Sequence, residues 1–273
     1  MADKTKLGDR MKLNYELRAK QFLTRRTNTI IRLDGKAFHT YTKGLKRPFD
    51  EGLIEDMQET AKYLCENIQG VKAAYTQSDE ITLILTDYDN LETSAWYDGN
   101  VQKIVSVSSS IATAKFNQLR LIRSIDFTQV DSMENLPEEV YIEDIEQKLA
   151  FFDSRVFQIP EKEEVVNCLL WRQKDAERNS IQMLARSLYS HKEVNNKNTS
   201  QLQDMCWEKG HNWNDLHFSK KRGSLILKNK YCNNKLVDSY TEINEDDTIR
   251  TKWEVVETPI FSQDRNIILN LLK

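Results

Sequence analysis

Thr29-Ile30-Ile31-Arg32-Leu33-Asp34-Gly35 is an apolar, β-branched run that stops at a carboxylate and a glycine, and the architecture of the chain follows from what this run pairs with. A second strand-like run, Val71-Lys72-Ala73-Ala74-Tyr75-Thr76, leads into Gln77-Ser78-Asp79-Glu80 and is followed by Ile81-Thr82-Leu83-Ile84-Leu85-Thr86. That pattern reads as a hairpin with Asp79 and Glu80 at its turn. Adjacent strands of one small sheet bring such ends together, and two like charges at close range need a cation to coexist. A pair of Mg²⁺ ions suits the arrangement, because hard divalent cations take oxygen ligands and keep positions open for phosphate oxygens.

Outward from these strands, residues 8–26 predict an N-terminal helix, with Met11, Tyr15, Leu17 and Phe22 at loosely helical spacing. Phe49, Leu53, Ile54, Met57, Ala61, Leu64, Cys65 and Ile68 recur at three- and four-residue steps and line one face of a helix. Asp50 is its N-cap, and Phe49 is placed to staple onto Ile54. A further helix is predicted from Asn100 to about Leu121, where small residues such as Ser108 and Ala112 permit close packing on a sheet. Residues 124–148 are acidic and weakly patterned, and residues 151–159 alternate like a strand that Pro160 ends. Two apolar helical segments, at 165–170 and 181–188, are separated by a polar stretch, 172–179. A helix over 199–209 and strands at 224–227 and 251–260 complete the order, with no internal repeat and no linker. Strand, helix, hairpin, helix, strand and helices fit an α+β fold, an antiparallel sheet with helices on one face.

The chain has 273 residues and 32.0 kDa with 39% hydrophobic residues, enough to bury a substantial core. No apolar stretch approaches the roughly 18 residues of a membrane helix, and the charged N-terminus lacks a signal core, so the expected location is cytoplasmic. Cys65, Cys168, Cys206 and Cys232 are widely spaced and predict reduced thiols rather than a disulfide scaffold. A net charge of −3 and a pI near 5.9 argue against binding nucleic acid by bulk attraction. Two local basic faces are candidates: Lys220, Lys221 and Arg222 with Lys228 and Lys230, and Arg18, Lys20, Arg25 and Arg26, each also readable as solvated surface.

The chemistry resides in the two acidic corners. Gly35 lets the backbone approach a ligand and present its own carbonyl, while Lys36, His39 and nearby N–H groups suit phosphates. Taken singly, Asp34-Gly35 reads as a tight turn and Ser78-Asp79-Glu80 as an ordinary polar hairpin tip; their conjunction is what points to a site. Cys206, His211, His217 and Cys232 form an alternative zinc set, at spacings that match no usual finger or ribbon. No Gly-Lys-Ser phosphate loop, dinucleotide fingerprint or nucleophile elbow is present, so nucleophile catalysis has no anchor.

The string Arg32-Leu33-Asp34-Gly35-Lys36-Ala37-Phe38-His39, followed by Gln77-Ser78-Asp79-Glu80, resembles the tRNA(His) guanylyltransferase family, including its bacterial and phage-type guanylyltransferase-like members, over residues 28–230. The resemblance implies a core like the palm of DNA polymerases that extends RNA at its 5′ end, in the 3′–5′ direction, using ATP, GTP and two Mg²⁺ ions. It implies Asp34, Asp79 and the Gly35 carbonyl as metal ligands, Lys36, Ala37, Phe38, His39 and Ser78 as nucleotide-binding residues, and Glu80 as a third catalytic acid. Lys103 matches a lysine associated with 5′-end activation, and Phe152-Asp153-Ser154-Arg155 resembles a Phe-Asp-Gly-Arg element with serine for glycine.

Arg172-Gln173 and Asp175 match the lead-in to a further motif, His-Ile-Asn-Asn-Leu-Tyr-Asn in eukaryotic members, which here reads Glu177-Arg178-Asn179-Ser180-Ile181-Gln182-Met183. Only Asn179 matches, which places the chain nearer the guanylyltransferase-like members that repair 5′-truncated tRNAs on a template. Asn179, with Lys221 and Arg222 of the basic stretch, is the expected tRNA contact. The resemblance further implies a homo-oligomer, commonly a tetramer. The expected organisation is a palm-like catalytic core over 1–160 and a C-terminal helical and β-hairpin extension over 161–273 packed on it. A palm-like RNA-binding module without chemistry and a two-metal nuclease are the competing readings.

Overall fold

The computed structural model describes residues 6–124, 148–232, 235–237 and 248–273. A short helix, α1 (Leu7–Met11), passes into a π turn at Lys12–Glu16 and a 3₁₀ turn at Leu17–Ala19. The helix expected over 8–26 therefore ends early. Met11, Tyr15 and Leu17 stay exposed, so no packed face sustains it, and Phe22 forms an extended bridge with Asn100.

Strand β1 (Thr29–Gly35) is followed by the one-turn α2 (Phe38–Tyr41), α3 (Glu51–Asn67), the hairpin β2 (Val71–Gln77) and β3 (Glu80–Leu85), α4 (Val101–Ser124) and β4 (Phe152–Gln158). Next come α5 (Lys162–Leu188), α6 (His191–Val194), α7 (Thr199–Glu208), α8 (Phe218–Lys221), β5 (Ser224–Cys232), β6 (Lys235–Leu236), β7 (Ile249–Val256) and α9 (Asn266–Leu269). The weakly patterned stretch 124–148 lies, but for its two ends, outside the described residues.

Seven strands form one antiparallel sheet in the order β4, β1, β3, β2, β5, with β6 and β7 both paired to β5. The strands after residue 160 thus extend the sheet begun by those before it. Ile31, Leu33, Ile81, Leu83 and Leu85 point to one face and pack with Met57, Ala61, Leu64, Ile104 and Phe116 of α3 and α4. Ile30, Ile84, Tyr75 and Leu225 point to the other and pack with Val165, Val166 and Leu169 of α5 and with Phe261 and Ile268. The helices of the first half therefore cover one face, as expected, and α5 covers the opposite one. Each large aliphatic side chain buried this way is worth about 1.5–3 kcal/mol.

Local chemistry fixes the elements. Asp50 Oδ1 accepts from Leu53 N–H at 2.8 Å, capping α3 as predicted, and Asn100 Oδ1 accepts from Lys103 N–H at 3.1 Å at the start of α4. The Ser154 hydroxyl meets that of Ser108 on α4 at 2.8 Å, which accounts for a serine in place of glycine. The two apolar segments expected around 165–170 and 181–188 are one continuous helix. Its polar middle is satisfied from afar: Arg172 bonds Glu80, and Gln173 bonds the Pro259 carbonyl at 2.7 Å and the Phe261 N–H at 3.0 Å. Cys65 and Cys206 are buried thiols and Cys168 is half-buried. Among the described residues no helix is long and apolar enough to cross a membrane.

Candidate active site

The register of the sheet assembles an acidic row. Asp34 of β1 stands opposite Glu80 of β3 and Asp153 of β4, and Glu80 stands opposite Gln77 of β2. Cross-strand partners share a face, and this is the α5 face, since Ile30 and Ile84 lie two and more steps along the same sides. The Gly35 N–H donates to the Asp79 carbonyl at 3.1 Å, tying the end of β1 to the hairpin turn. Ser78, at φ 51°, bends that turn, and its hydroxyl donates to Asp79 Oδ1 at 3.0 Å.

The three acids are not equivalent. Burial raises the Asp79 carboxyl above the ordinary range; the Ser78 hydroxyl partly offsets this, and the neighbouring Asp34 charge adds to it. Among the described residues the one ion pair of Asp34 is with Arg155, at 3.9 Å. Burial also raises Glu80, but there Arg172 opposes it, with Nε 2.7 Å from Glu80 Oε1 and both side chains about nine-tenths buried. Arg172 in turn donates to Asp175 at 3.1 Å. Glu80 is thus neutralised within the fold, whereas Asp34 and Asp79 are two neighbouring carboxylates short of positive charge.

The turn after β1 is shaped by Phe38. Its ring lies so close over Gly35 that a Cβ there would meet Phe38 Cδ2 at 2.2 Å, so glycine is required by packing. Phe38 is buried among Tyr41, Phe116 and Phe152, leaving its backbone rather than its ring to face a ligand. Ala37, at φ 54°, starts α2; Thr40 and Tyr41 N–H bond back to its carbonyl, so the amides of Ala37, Phe38 and His39 precede the first intrahelical bond. Lys36 and His39 are exposed at the same turn.

Beside Ser78 a cavity of about 110 Å³ is lined by Phe49, Gln77, Ser78, Asn179, Met183 and Lys221, among others. It joins Ser78 of the expected nucleotide set to Asn179 and Lys221 of the expected RNA set. Arg222 does not join them: its guanidinium pairs with Glu177 at 3.0 Å and lies over the Trp213 ring. Lys103 is also elsewhere. It sits in the first turn of α4 with Nζ over the Tyr97 ring, and its neighbour Ile104 lines a cavity with Thr29 and Leu85 at the opposite end of the strands. The length of β1 from Thr29 to Asp34, about 17 Å, separates it from the acidic row. Among the described residues no group of three or more His, Cys, Asp or Glu side chains is arranged for a metal ion, so Cys206, His211, His217 and Cys232 make no zinc site.

The family described as tRNAHis guanylyltransferase matches residues 8–160, more than half of the 273-residue chain. The chain belongs to that family. It is accordingly a nucleotidyltransferase of the tRNA(His) guanylyltransferase type. A bacterial tRNA(His) guanylyltransferase-like protein solved in complex with ATP superposes with a TM-score of 0.78 at 39% identity, covering 98% of this chain and 99% of its own. One solved in complex with GTP gives 0.75 at 40% identity, covering 97% and 98%. The probable tRNA(His) guanylyltransferase of Drosophila melanogaster is 25% identical over 217 residues, 74% of this chain and 67% of its own. An uncharacterized protein of Acanthamoeba polyphaga mimivirus is 28% identical over 232 residues, 81% and 77% of the two chains.

Within the tRNA(His) guanylyltransferase frame, two side chains gain a place that sequence reasoning did not give them. Arg172 is the counter-charge of Glu80, and Trp171 beside it is an exposed aromatic packed against cations. For Arg172 the sequence signal was its match, with Gln173 and Asp175, to the lead-in of a further motif, which named no partner for it; for Trp171 it was a tryptophan at the edge of an otherwise apolar helical segment.

Proposed function

We propose that this nucleotidyltransferase adds nucleotides to the 5′ end of a tRNA in the 3′–5′ direction, G or templated nucleotides, with ATP and GTP as its nucleotides. The observation that carries the reading is the convergence of Asp34 and Asp79 at paired strand ends with, among the described residues, only a long contact from Arg155 at 3.9 Å as ion pair, while Glu80 next to them is neutralised by Arg172. Two carboxylates and a backbone carbonyl fit Mg²⁺, which takes one or two carboxylates and completes its shell with phosphate oxygens and water. Asp34, Asp79 and the Gly35 carbonyl would hold two such ions. Bound Mg²⁺ supplies a lowered pKa for the attacking 3′-hydroxyl and neutralisation of the triphosphate.

The side chains do the rest. Ser78 orients Asp79; Lys36, His39 and the amides of Ala37, Phe38 and His39, at the turn after β1, would receive phosphates. Arg172 keeps Glu80 in place, so the third acid acts through the row's geometry and field. The cavity beside Ser78, with Asn179 and Lys221 on its wall, suits the nucleotide's base. Positioning and electrostatics suffice, with no protein nucleophile.

Repair of 5′-truncated tRNAs without selectivity for tRNA(His) is favoured by one observation: at the position of the family's histidine stands Glu177, committed to Arg222. Incubating a labelled 5′-truncated tRNA with Mg²⁺ and nucleoside triphosphates tests the proposal. Extension of the RNA is expected, with a loss of at least about a thousandfold in Asp34→Ala and Asp79→Ala, both still folded. Shortening would favour a nuclease, and a mobility shift without extension would favour a binding module; either outcome, or retained extension in a variant, overturns the assignment.

A further inference from the structure

At the end of β1 and β3 away from the acidic row, one buried oxygen has nothing to bond. Asp87 lies just beyond β3 and is 6% exposed. Its Oδ2 accepts from Arg25 Nε at 2.8 Å and from the Arg26 backbone N–H at 3.0 Å. Its Oδ1 has no partner, and among the described residues it is the one buried side-chain nitrogen or oxygen left in that state. A buried acceptor without a donor is costly, and more so on a charged group. The charge is not fully matched either, because Arg25 also pairs with Asp98 at 3.2 Å, so one guanidinium serves two carboxylates.

Asp87 lines a cavity of about 20 Å³, room for a single water-sized ligand. Thr24, Thr29 and Gln69 line it too, each with a side-chain oxygen. Gln69 uses its amide nitrogen on Ser94, which leaves its carbonyl oxygen to accept. The opposite wall includes Trp96 and Gly99. Between these two the chain runs left-handed, with Tyr97 at φ 49° and Asp98 at φ 52°, and Gly99 follows at φ 74° before α4 begins. Side chains other than glycine hold such a conformation only where the surroundings impose it.

We propose that this cavity is a site for one monovalent inorganic cation, with Asp87 Oδ1 as its charged ligand and the neutral oxygens of Thr24, Thr29 and Gln69 as the others, and that the bound ion braces the turn leading into α4. A water would give Oδ1 a hydrogen bond but bring no charge to a carboxylate that shares its guanidinium. Mg²⁺ keeps several waters around it, and Ca²⁺ takes about six to eight oxygens, so neither suits a space for one small ligand with one carboxylate. The site is separate from the acidic row and independent of the proposed function.

The test is the thermal unfolding midpoint of the protein in chelator, without nucleotide, with KCl or NaCl exchanged for choline chloride at constant ionic strength, in the wild type, Asp87→Asn, Thr29→Val and Asp79→Asn. Above its Kd, each tenfold increase in the bound cation should raise the wild-type midpoint by about 2 °C, whereas choline is too large for the cavity and should not. The dependence should vanish in Asp87→Asn and weaken in Thr29→Val, which leaves the Arg25 pair intact. It should persist in Asp79→Asn, which excludes the acidic row as its source. Should Asp87→Asn fail to fold, Thr29→Val and the wild type decide, and anomalous scattering from crystals grown with thallium(I) should place one ion beside Asp87. A midpoint indifferent to the cation overturns the proposal, as does a dependence that Asp79→Asn removes and Asp87→Asn keeps, or a cavity that holds water and no thallium.

Discussion

Two groups of carboxylates lie on opposite sides of the sheet. Asp56 of α3, 2% exposed, accepts from Arg120 at 3.0 Å and from Arg123 at 2.9 and 3.1 Å, and so locks α3 to α4. Asp34 and Asp79, on the α5 side, have between them a serine hydroxyl and one arginine at 3.9 Å. Asp56 is buried and Asp34 and Asp79 are part-exposed, and only the first is neutralised by the fold itself. A carboxylate that joins helices is surrounded by its counter-charges; a carboxylate that awaits a cation is left without them. Glu80 falls between the two, sharing the row of Asp34 but paired like Asp56.

The contrast breaks most visibly at Asp56. Replacing it by alanine leaves the largely buried Arg120 without its carboxylate at the α3–α4 contact, whereas Arg123 is part-exposed and keeps Glu55, so the cost is about 2 kcal/mol or more. Urea unfolding should show that loss, while MgATP and MgGTP binding by the folded fraction stays near wild type. A variant as stable as the wild type would mean that the pair is incidental and that neutralisation says nothing about role.

Glu80 and Arg172 sharpen the contrast with a smaller effect. Arg172→Met leaves a buried carboxylate unpaired and should cost about 2 kcal/mol; adding Glu80→Gln should recover most of it, with a coupling of about 1–3 kcal/mol in the double-mutant cycle. Additive losses would mean that Glu80 is not held by Arg172 and could act as a free ligand like Asp34.

Much of this was legible beforehand, for reasons particular to each element. The face of α3 repeats cleanly and carries its own cap at Asp50, and the hairpin announces itself by alternation around Ser78 and Asp79. Both are local signals. The N-terminal segment had helical spacing too, but spacing sustains a helix only against a packed surface, and none is offered to Met11 or Tyr15. The polar middle of α5 looked like a break because the partners of Arg172 and Gln173 are Glu80, Pro259 and Phe261, all far along the chain. The acidic corner could be anticipated because its carboxylates sit at strand ends. The remoteness of Lys103 could not, since the sequence of α4 does not say at which end of the sheet it begins, and the Glu177 contact that occupies Arg222 is likewise tertiary.

The smallest effect is the most discriminating. If Asp34 and Asp79 are kept for a cation rather than for the fold, then removing one charge should make the protein more stable, the reverse of Asp56. Asp79→Asn keeps the shape and an acceptor for Ser78 and removes the repulsion, so a gain of about 0.5–1 kcal/mol is expected without added magnesium. The gain has a required pH dependence. Burial holds the folded-state Asp79 carboxyl above its ordinary 3.8, so its contribution favours folding below that value and is lost as pH rises through the raised one. The wild type and Asp79→Asn should therefore have similar stability in acid and diverge as pH rises towards neutrality, with Asp79→Asn the more stable. Denaturation midpoints measured in chelator across that range check this, and a variant less stable than the wild type at neutral pH would place Asp79 with Asp56, among the carboxylates the fold needs for itself.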